Sequence, residues 1–448
     1  MKKLFALILA LVMALSLVAC GGGKTDEPAK EEKPAASETT DGKTEAEPET
    51  IKIGMLFPMS GNYGTSGLSL KYAAEVAADV INNELGGIQN LGGAKLELIF
   101  GDTQGDSAVA LAEYERMQEL GCKFYIGAYN SGVTQAMLPT MMANDTLMIT
   151  SNAFSDTVYT TPNENLYHVF DCSSLAADRK VELELWKKEN LKDYTGEVVG
   201  YIYAANDYGR DAYNNYVATA EAAGIKEVVG VPVEAGAADF SAAIMALKGR
   251  EDISFLTCSL PAADSVLVMR QLRQYGIGIP LFAEGSGFVW ADILEQLGEG
   301  AEYIYSAASY LPEWWRSSWD PDLALEYTEK CYEDLGWGPD ENFSVMWGDV
   351  WTLWDVLERT ASLESNDLRK ALRETNITGD HMALLMTAYE SISFPESVTA
   401  EGTGVTLYNQ NPGARQLWAQ VQDGQYRIVW PPEFADPDYP YVYPIPQG

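Results

Sequence analysis

Five polar turns that contain glycine or serine follow predicted strands, and they are the clearest candidates for chemistry. They are Ser60–Gly67, Asn130–Gly132, Ser151–Ser155, Asn206–Gly209 and Glu284–Gly287. In open α/β sheets small ligands bind at the carboxyl ends of the strands, and the N–H groups of the following helices attract anions. Hydroxyl, amide and carboxylate groups at this edge predict recognition of a small solute rather than a reaction.

Motifs that carry catalysis are missing. The sequence has no H-E-x-x-H, no G-x-S-x-G, no Walker-type phosphate loop and no G-x-G-x-x-G after a strand. Glu295 and Glu299 are at helical spacing, which is typical of a solvated face. Two histidines, His168 and His381, leave little room for His-rich metal sites. We therefore expect a protein that is not an enzyme and that uses no cofactor or metal.

The chain is strongly acidic. Its 30 basic and 65 acidic residues give a formal net charge of −35. Such a protein is repelled by phosphate backbones and anionic lipid, which argues against nucleic-acid binding. The 448 residues are 47% hydrophobic and 21% charged, as in ordinary globular proteins, and this length suggests two or three domains.

Strands and helices alternate with short connections. Predicted strands begin at Ile51, Lys95, Phe124 and Leu147, with amphipathic helices between them, and the pattern restarts at Val198. This alternation favours an α/β fold with two lobes, each built on a doubly wound parallel sheet.

The C-terminal third is richer in tryptophan. A helix is predicted over 346–359, and we expect its tryptophans, which share one face, to lie in the core: Trp347, Trp351 and Trp354. Residues 416–430 alternate around Asp423-Gly424 and predict a hairpin. The Pro- and Tyr-rich stretch 431–448 is expected to run extended over the surface.

The N-terminus has the features of an export signal. The apolar run 4–18 follows a short positive start and is too short to span a bilayer comfortably, so residues 1–19 predict a signal peptide. Leu17-Val18-Ala19-Cys20-Gly21 resembles a bacterial lipobox, in which the cysteine becomes the lipidated first residue; ordinary cleavage is the alternative. We expect residues 20–50 to comprise the lipidated Cys20 and a disordered tether. We expect an exported protein that is anchored to the extracytoplasmic face of the cell membrane.

The remaining cysteines show no C-x-x-C spacing and could pair in three ways. We expect them to be free and buried: Cys122, Cys172, Cys258 and Cys331.

Several short motifs occur in a particular order along the chain: Ile53–Gly61, Ile126–Ser131, Leu147–Thr150 and Asp207–Gly209. Together with the lipobox they resemble the type I periplasmic-type solute-binding proteins of ABC importers, in the branched-chain amino acid (Leu/Ile/Val) group. The resemblance covers residues 51–300 well and the remainder loosely. It implies a monomeric clamp of two lobes, joined by three crossovers, that closes on one small solute and presents it to a membrane permease. The implied lobes are 51–170 with about 308–400, and 171–307 with about 401–430.

The resemblance also implies ligand-binding residues. Ser131 matches the position whose hydroxyl and neighbouring N–H groups bind the α-carboxylate of the ligand. Glu284 lies one residue from a carboxylate that pairs with the ammonium. Asn152, Ala153 and Phe154 match a stretch whose backbone carbonyl meets the ammonium and whose next polar side chain helps to bind the carboxylate, and Ser155 adjoins it. Tyr63 and Tyr208 match the aromatic contacts, one from each lobe. The alternatives are purely structural roles: a helix cap for Ser131, core packing for Tyr63 and Tyr208, and a surface position for Glu284.

Two departures from the family pattern leave the ligand open. Phe154 stands where the family commonly has Thr or Ser, so that contact passes to Ser155 or is lost. Asn130 occupies a position of the disulfide of the leucine-type members. We expect the ligand to be an amino acid of the branched-chain type, and the alternative ligand is another small carboxylate, amide or aromatic acid. The alternative functions are a sensory role and an enzyme that uses carboxylates alone.

Overall fold

A computed structural model describes most of the chain from residue 49 onward. The described residues are 49–150, 152–170, 198–250, 252–277, 281–283, 293–308, 310–311, 339–378, 386–387, 389–400, 404–414 and 417–442, with 329, 333, 334 and 336. Residues 1–48, which include the predicted signal peptide, Cys20 and all but the last two residues of the predicted tether, lie outside them, as do Cys172, Cys331 and Glu284. Within the described part, no helix is long and apolar enough to cross a membrane.

The first lobe contains a five-stranded parallel sheet in the order β2-β1-β3-β4-β5. Its strands are β1 (Thr50–Phe57), β2 (Lys95–Asp102), β3 (Phe124–Gly127), β4 (Leu147–Thr150) and β5 (Leu166–His168). Its first helices are α1 (Gly64–Asp79), α2 (Ser107–Glu119) and α3 (Ser131–Ala143). The central strands β3 and β4 are buried at every residue, which is why they read as continuous apolar runs.

The second lobe begins with five parallel strands and the helices that connect them. The strands are β6 (Val198–Ala204), β7 (Glu227–Val233), β8 (Ile253–Ser259), β9 (Leu281–Ala283) and β10 (Tyr305–Ala308). The helices are α4 (Asp207–Ala222), α5 (Ser241–Lys248), α6 (Ala262–Gln274) and α7 (Ile293–Leu297). Strand β7 lies at the edge of the sheet, where Pro232 is tolerated because an edge residue can lack an N–H donor.

The chain then returns to the first lobe. Helix α8 (Glu341–Thr360) packs against α1, and the Ser69 hydroxyl donates to Oδ1 of Asp340 at 2.6 Å. Helix α9 (Ser365–Arg373) follows. Four short strands complete this part: β11 (Asn376–Ile377), β12 (Ile392–Ser393), β13 (Ser397–Thr399) and β14 (Thr406–Tyr408). The predicted tryptophan core is confirmed for Trp347 and Trp351, which are buried, whereas Trp354 is partly buried.

A C-terminal hairpin completes the second sheet. Strands β15 (Leu417–Gln422) and β16 (Gln425–Trp430) pair antiparallel, so the predicted hairpin is confirmed, and the sheet order is β16-β15-β10-β9-β8-β6-β7. Because β15 also runs antiparallel to β10, this sheet is mixed rather than wholly parallel. The chain thus passes between the lobes three times, which confirms the expected α/β fold of two lobes joined by three crossovers.

The C-terminal stretch differs from expectation, whereas the cysteines that the structure describes agree with it. After β16 the chain turns at Pro431, whose carbonyl accepts the N–H of Phe434 at 3.0 Å, so this stretch is not wholly extended. Tyr441 then packs against the buried ring of Tyr305. Cys122 is a buried free thiol, as predicted, and Cys258 is buried.

Two helices begin earlier than the sequence predicted. Helix α1 begins at Gly64 and α3 begins at Ser131, each within a stretch predicted to be a turn. At Gly67 an added Cβ would lie only 1.7 Å from the Pro58 carbonyl oxygen, so the missing side chain lets the helix approach the preceding loop. Tertiary packing here outweighs the low helix propensity of Gly and Ser.

Candidate ligand-binding site

A cavity of about 230 Å³ lies at the carboxyl ends of strands from both lobes. The first lobe contributes two aromatic residues, Gly105 and the start of α2, the start of α3 and the segment after β4. The second lobe contributes the start of α4 and the residue before α6. The lining residues are Tyr63, Gly105, Ser107, Tyr129, Asn130, Ser131, Gly132, Val133, Asn152, Ala153, Phe154, Asn206, Asp207, Tyr208 and Pro261. This is the edge that the sequence indicated.

The start of α3 forms one wall of the cavity. Its first residues, Ser131, Gly132 and Val133, all line the cavity, and N–H groups in the first turn of a helix have no partner within the helix. The Ser131 hydroxyl oxygen is buried and accepts the N–H of Ser155 at 3.1 Å. The positive end of the helix dipole and these donors together suit a carboxylate.

Asp102 positions the loop that carries Tyr63. Its Oδ1 accepts the N–H of Met59 at 2.8 Å, and its Oδ2 accepts the hydroxyl of Ser60 at 2.6 Å. Burial acts to raise the pKa of Asp102, but these hydrogen bonds and that from Gln104 lower it below its ordinary value. A single carboxylate at the end of β2 therefore fixes the loop between β1 and α1.

Tyr63 connects the first lobe to the second. Burial raises the pKa of its phenol, Asp264 raises it further, and a hydrogen bond with Asn206 acts in the opposite direction. The neighbouring Asn62 donates its amide to the carbonyl of Ala235 at 3.5 Å. Asp264 is itself 5% exposed and accepts the N–H of Gly236 at 2.8 Å, and burial raises its pKa.

The segment after β4 forms a second wall. Ala153 is buried and has φ of +94°, a strained conformation for a residue with a Cβ. The ring of Phe154 lies 4.9 Å from that of Phe170 and 6.2 Å from that of Tyr208, measured between centroids. Phe154 and Tyr208 thus form an aromatic surface that spans both lobes.

Polar contacts join the lobes beside this wall. The carboxylate of Asp211, on α4, accepts the hydroxyl of Ser155 and, at 3.3 Å, the N–H of Thr157. The amide of Asn215 donates to Oδ2 of Asp156 at 3.2 Å. These bonds connect the first lobe to α4 of the second lobe beside the cavity.

The cavity lining combines polar and apolar groups and carries little charge. Among the described lining residues, Asp207 alone has a charged side chain, and it pairs with Arg210 at 2.5 Å. A Cβ at Gly132 would lie 3.0 Å from Oδ2 of Asp207, so this carboxylate comes close to the start of α3. Within the described chain, no group of three or more His, Cys, Asp or Glu residues could hold a metal ion.

The structure brings most of the predicted site residues together. Six of them line the cavity: Tyr63, Ser131, Asn152, Ala153, Phe154 and Tyr208. Ser155 lies behind the lining, where it contacts Ser131 and Asp211. Glu284 lies outside the described residues.

Several lining residues were not among the predicted site residues. Asn130, Asn206 and Asp207 lie in turns that the sequence did single out, so their position could have been found from the same pattern. Tyr129 lies within the Ile126–Ser131 motif but was not predicted to contact a ligand, and Gly105 carried no sequence signal. Burial strongly raises the pKa of Tyr129, whose φ of +70° is unusual outside glycine.

Replacing Asp264 by Asn should make the protein more stable at neutral pH. The native pKa of this buried carboxyl is raised, so its stability contribution is present at low pH and is lost as the pH rises through that pKa. An asparagine at this position keeps an acceptor for the N–H of Gly236 but carries no charge. We expect Asp264→Asn to raise Tm by roughly 2–4 °C at pH 7, the equivalent of about 1 kcal/mol, and by less at pH 4.

The control for this variant is Asp239→Asn. Hydrogen bonds from the backbone and hydroxyl of Ser241 and from Gln271 lower the pKa of Asp239, so its removal should lower Tm at pH 7 and matter less in acid. Thermal unfolding of both variants and wild type at the two pH values checks the signs. A loss of stability at pH 7 for Asp264→Asn would contradict the expected effect of burial.

Comparison with known proteins agrees with this architecture. The model of the periplasmic binding protein family matches residues 50–390. Leu/Ile/Val-binding protein homolog 1 of Brucella abortus is 22% identical over 85% of this chain and 93% of its own length. Homolog 3 of Brucella melitensis is 29% identical over 51% of this chain, and the chain spans 59% of that protein.

Solved structures share the fold. The leucine-binding protein LivK of Thermotoga maritima aligns with a TM-score of 0.66 and 19% identity, over 87% of this chain and 99% of that one. A solute-binding protein of R. palustris in complex with benzoate aligns with a TM-score of 0.68 and 13% identity, over 85% of this chain and 95% of that one. The two lobes with their three crossovers, the cleft between them and the family match lead to one conclusion: the chain belongs to the periplasmic binding proteins, with the type I fold of their Leu/Ile/Val-binding group.

Proposed function

We propose that this protein is the extracytoplasmic substrate-binding component of an ABC importer and captures an α-amino acid of the branched-chain type between its lobes. The start of α3 within an interlobe cavity carries this proposal, because it offers N–H donors to a carboxylate. The Leu/Ile/Val-binding names of the relatives support the choice of ligand class. A membrane permease would receive the ligand from the closed clamp.

The remaining walls suit the rest of a zwitterion. The carboxylate of Asp207 lies at the second-lobe side of the cavity and can attract an ammonium group. By resemblance to the family, a backbone carbonyl of the segment Asn152-Ala153-Phe154 would meet the same ammonium. Phe154 and Tyr208 supply an apolar surface for a side chain, and a cavity of about 230 Å³ fits only a small solute.

An aromatic carboxylate is the second candidate ligand. Four aromatic rings line the cavity: Tyr63, Tyr129, Phe154 and Tyr208. The rings of Tyr63 and Tyr129 approach edge to face, with 5.7 Å between centroids, which leaves flat ring surfaces for stacking with a ligand. The benzoate complex of the R. palustris protein supports this candidate. A thermal-shift screen with leucine, isoleucine, phenylalanine and benzoate separates the two, because the amino-acid function requires that an amino acid stabilise the protein most.

Ser131→Ala should weaken binding of the stabilising amino acid by about 10- to 100-fold. The change removes a hydroxyl at the carboxylate site, and a hydrogen bond to a charged group contributes about 1.5–3 kcal/mol. Isothermal titration calorimetry measures the dissociation constant. Ser241→Ala is the matched control, because Ser241 also begins a helix but lies outside the cavity. Equal affinity of Ser131→Ala and wild type would remove Ser131 from the site.

Tyr208→Ala should impair closure more than first contact with the ligand. The contact of Tyr208 with Phe154 joins the two lobes, so it favours the closed state. We expect about tenfold weaker binding and, at saturating ligand, a smaller decrease in the radius of gyration by small-angle scattering than in wild type. Tyr208→Phe, which keeps the ring, is the control. Full compaction of Tyr208→Ala would show that its ring contact does not favour closure.

The membrane anchor is a further part of the proposed function. Cys20 ends a lipobox-like sequence, and the stretch after it contains no apolar segment that could hold the protein at a membrane. We expect Cys20→Ala to release most of the protein from the membrane fraction or to block its processing, as judged by fractionation and mass spectrometry. Cys122→Ala, at a buried free thiol, should stay in the membrane fraction. Unchanged membrane retention of Cys20→Ala would contradict the lipid anchor.

A further inference from the structure

The hydroxyl of Ser155 is bound by an acid of the second lobe. Ser155 is buried behind the cavity lining, and its hydroxyl donates to Oδ2 of Asp211 on α4. A hydroxyl has a single proton, so in the contact of 2.7 Å between Ser155 and Thr157 the Thr157 hydroxyl is the donor. The N–H of Thr157 donates to the same carboxylate at 3.3 Å. Asp211 therefore holds this part of the first lobe by both a side chain and the backbone.

The backbone of Ser155 holds the start of α3. Its N–H donates to the hydroxyl oxygen of Ser131 at 3.1 Å, and its carbonyl accepts the N–H of Val158 at 3.1 Å. The Ser131 oxygen uses a lone pair in this bond and keeps its own proton, which it can donate to a carboxylate. Ser155 thus orients the Ser131 hydroxyl without using the proton that a ligand would accept.

Helix α4 places Asp211 between two other residues that face the first lobe. Asp207, Asp211 and Asn215 are spaced by four residues and share one face of the helix. Asp207 lines the cavity, Asp211 binds Ser155 one turn later, and Asn215 contacts the first lobe again at the next turn. Asp211 lies outside the cavity lining but is connected to it, through Ser155, at Ser131.

Resting on the proposed function, we infer that Asp211 is a positioning residue for the carboxylate of the ligand. Asp211 holds the Ser155 hydroxyl, and the Ser155 N–H holds the hydroxyl that Ser131 presents to the carboxylate. Asp211 acts on affinity through Ser131 and not through a contact of its own with the ligand. Because Asp211 belongs to the second lobe, the carboxylate site of the first lobe is fully ordered only when α4 lies against it.

A double-mutant cycle between Asp211 and Ser131 tests this inference. Isothermal titration calorimetry with L-leucine gives the dissociation constants of wild type, Asp211→Ala, Ser131→Ala and the double variant. We expect Asp211→Ala to weaken binding about fivefold when Ser131 is present, since a charge-assisted hydrogen bond is lost. It should weaken binding by less than about twofold when Ser131 is already alanine, because members of one hydrogen-bond network are not additive.

Asn215→Ala is the matched control. It removes a contact with the first lobe from the same face of α4, the bond to Asp156 at 3.2 Å, but leaves the bond between Asp211 and Ser155 in place. Its effect on leucine binding should therefore be the same factor with and without Ser131→Ala. This comparison separates a role in orienting Ser131 from a general role in holding the lobes together.

Ser155→Ala tests the same connection from the first lobe. It removes the hydroxyl that Asp211 binds but keeps the backbone N–H that Ser131 accepts. We expect it to weaken leucine binding about as much as Asp211→Ala does, and with the same dependence on Ser131. Circular dichroism and thermal unfolding establish that each variant is folded.

The outcomes distinguish this inference from the function on which it rests. An Asp211→Ala loss that is equal in both backgrounds, or that Asn215→Ala matches in its dependence on Ser131, overturns the positioning role and leaves leucine binding intact. Unchanged affinity of folded Asp211→Ala does the same. A wild type that binds no amino acid overturns the proposed function and this inference with it. A loss that disappears in the Ser131→Ala background for Asp211 and Ser155, but not for Asn215, supports the inference.

Discussion

The uncapped start of α3 is the feature on which the rest of the site depends. A 13-residue helix places the positive end of its dipole at the cavity, and the residue before it does not satisfy its donors. Its first residues line the cavity. Strand β3, which pairs with β4 in the sheet, positions the chain just before α3. The Ser131 hydroxyl accepts the N–H of Ser155 and so connects the start of α3 to the segment after β4. Leaving such a helix start without a cap costs about 1 kcal/mol of stability, which a bound carboxylate can offset.

Closure of the clamp rests on interactions that are individually weak. Asp211 accepts two hydrogen bonds from the first lobe, and Asn215 and Asn62 each donate one across the lobes, all at partly buried or exposed positions. Each contributes on the order of 1 kcal/mol or less once competing water is considered. A ligand that touches both α3 and Tyr208 adds the differential affinity that shifts the population to the closed form.

The sequence predicted the fold better than it predicted the cavity wall. Apolar runs identified β1, β3 and β4 because these strands are buried, and a turn at Asp423-Gly424 identified the hairpin. It did not predict that β15 pairs antiparallel with β10, since strand neighbours depend on tertiary contacts. The polar turns located the ligand edge of the sheet. The inward position of Tyr129 depends on a backbone with φ of +70°, and the uncapped state of Asn130 depends on side-chain direction; neither has a local sequence signal.

The overall charge bears on which ligand the site favours. A protein of net charge −35 repels a simple carboxylate at long range, and the described cavity lining offers it no Lys, Arg or His. The attraction available comes from the dipole and donors of α3, which act only at short range. A zwitterion has no net charge, so it approaches without this repulsion and can present its carboxylate to α3 and its ammonium to Asp207. Electrostatics at both ranges therefore favour an amino acid over benzoate-like acids, even though the aromatic walls would accept either.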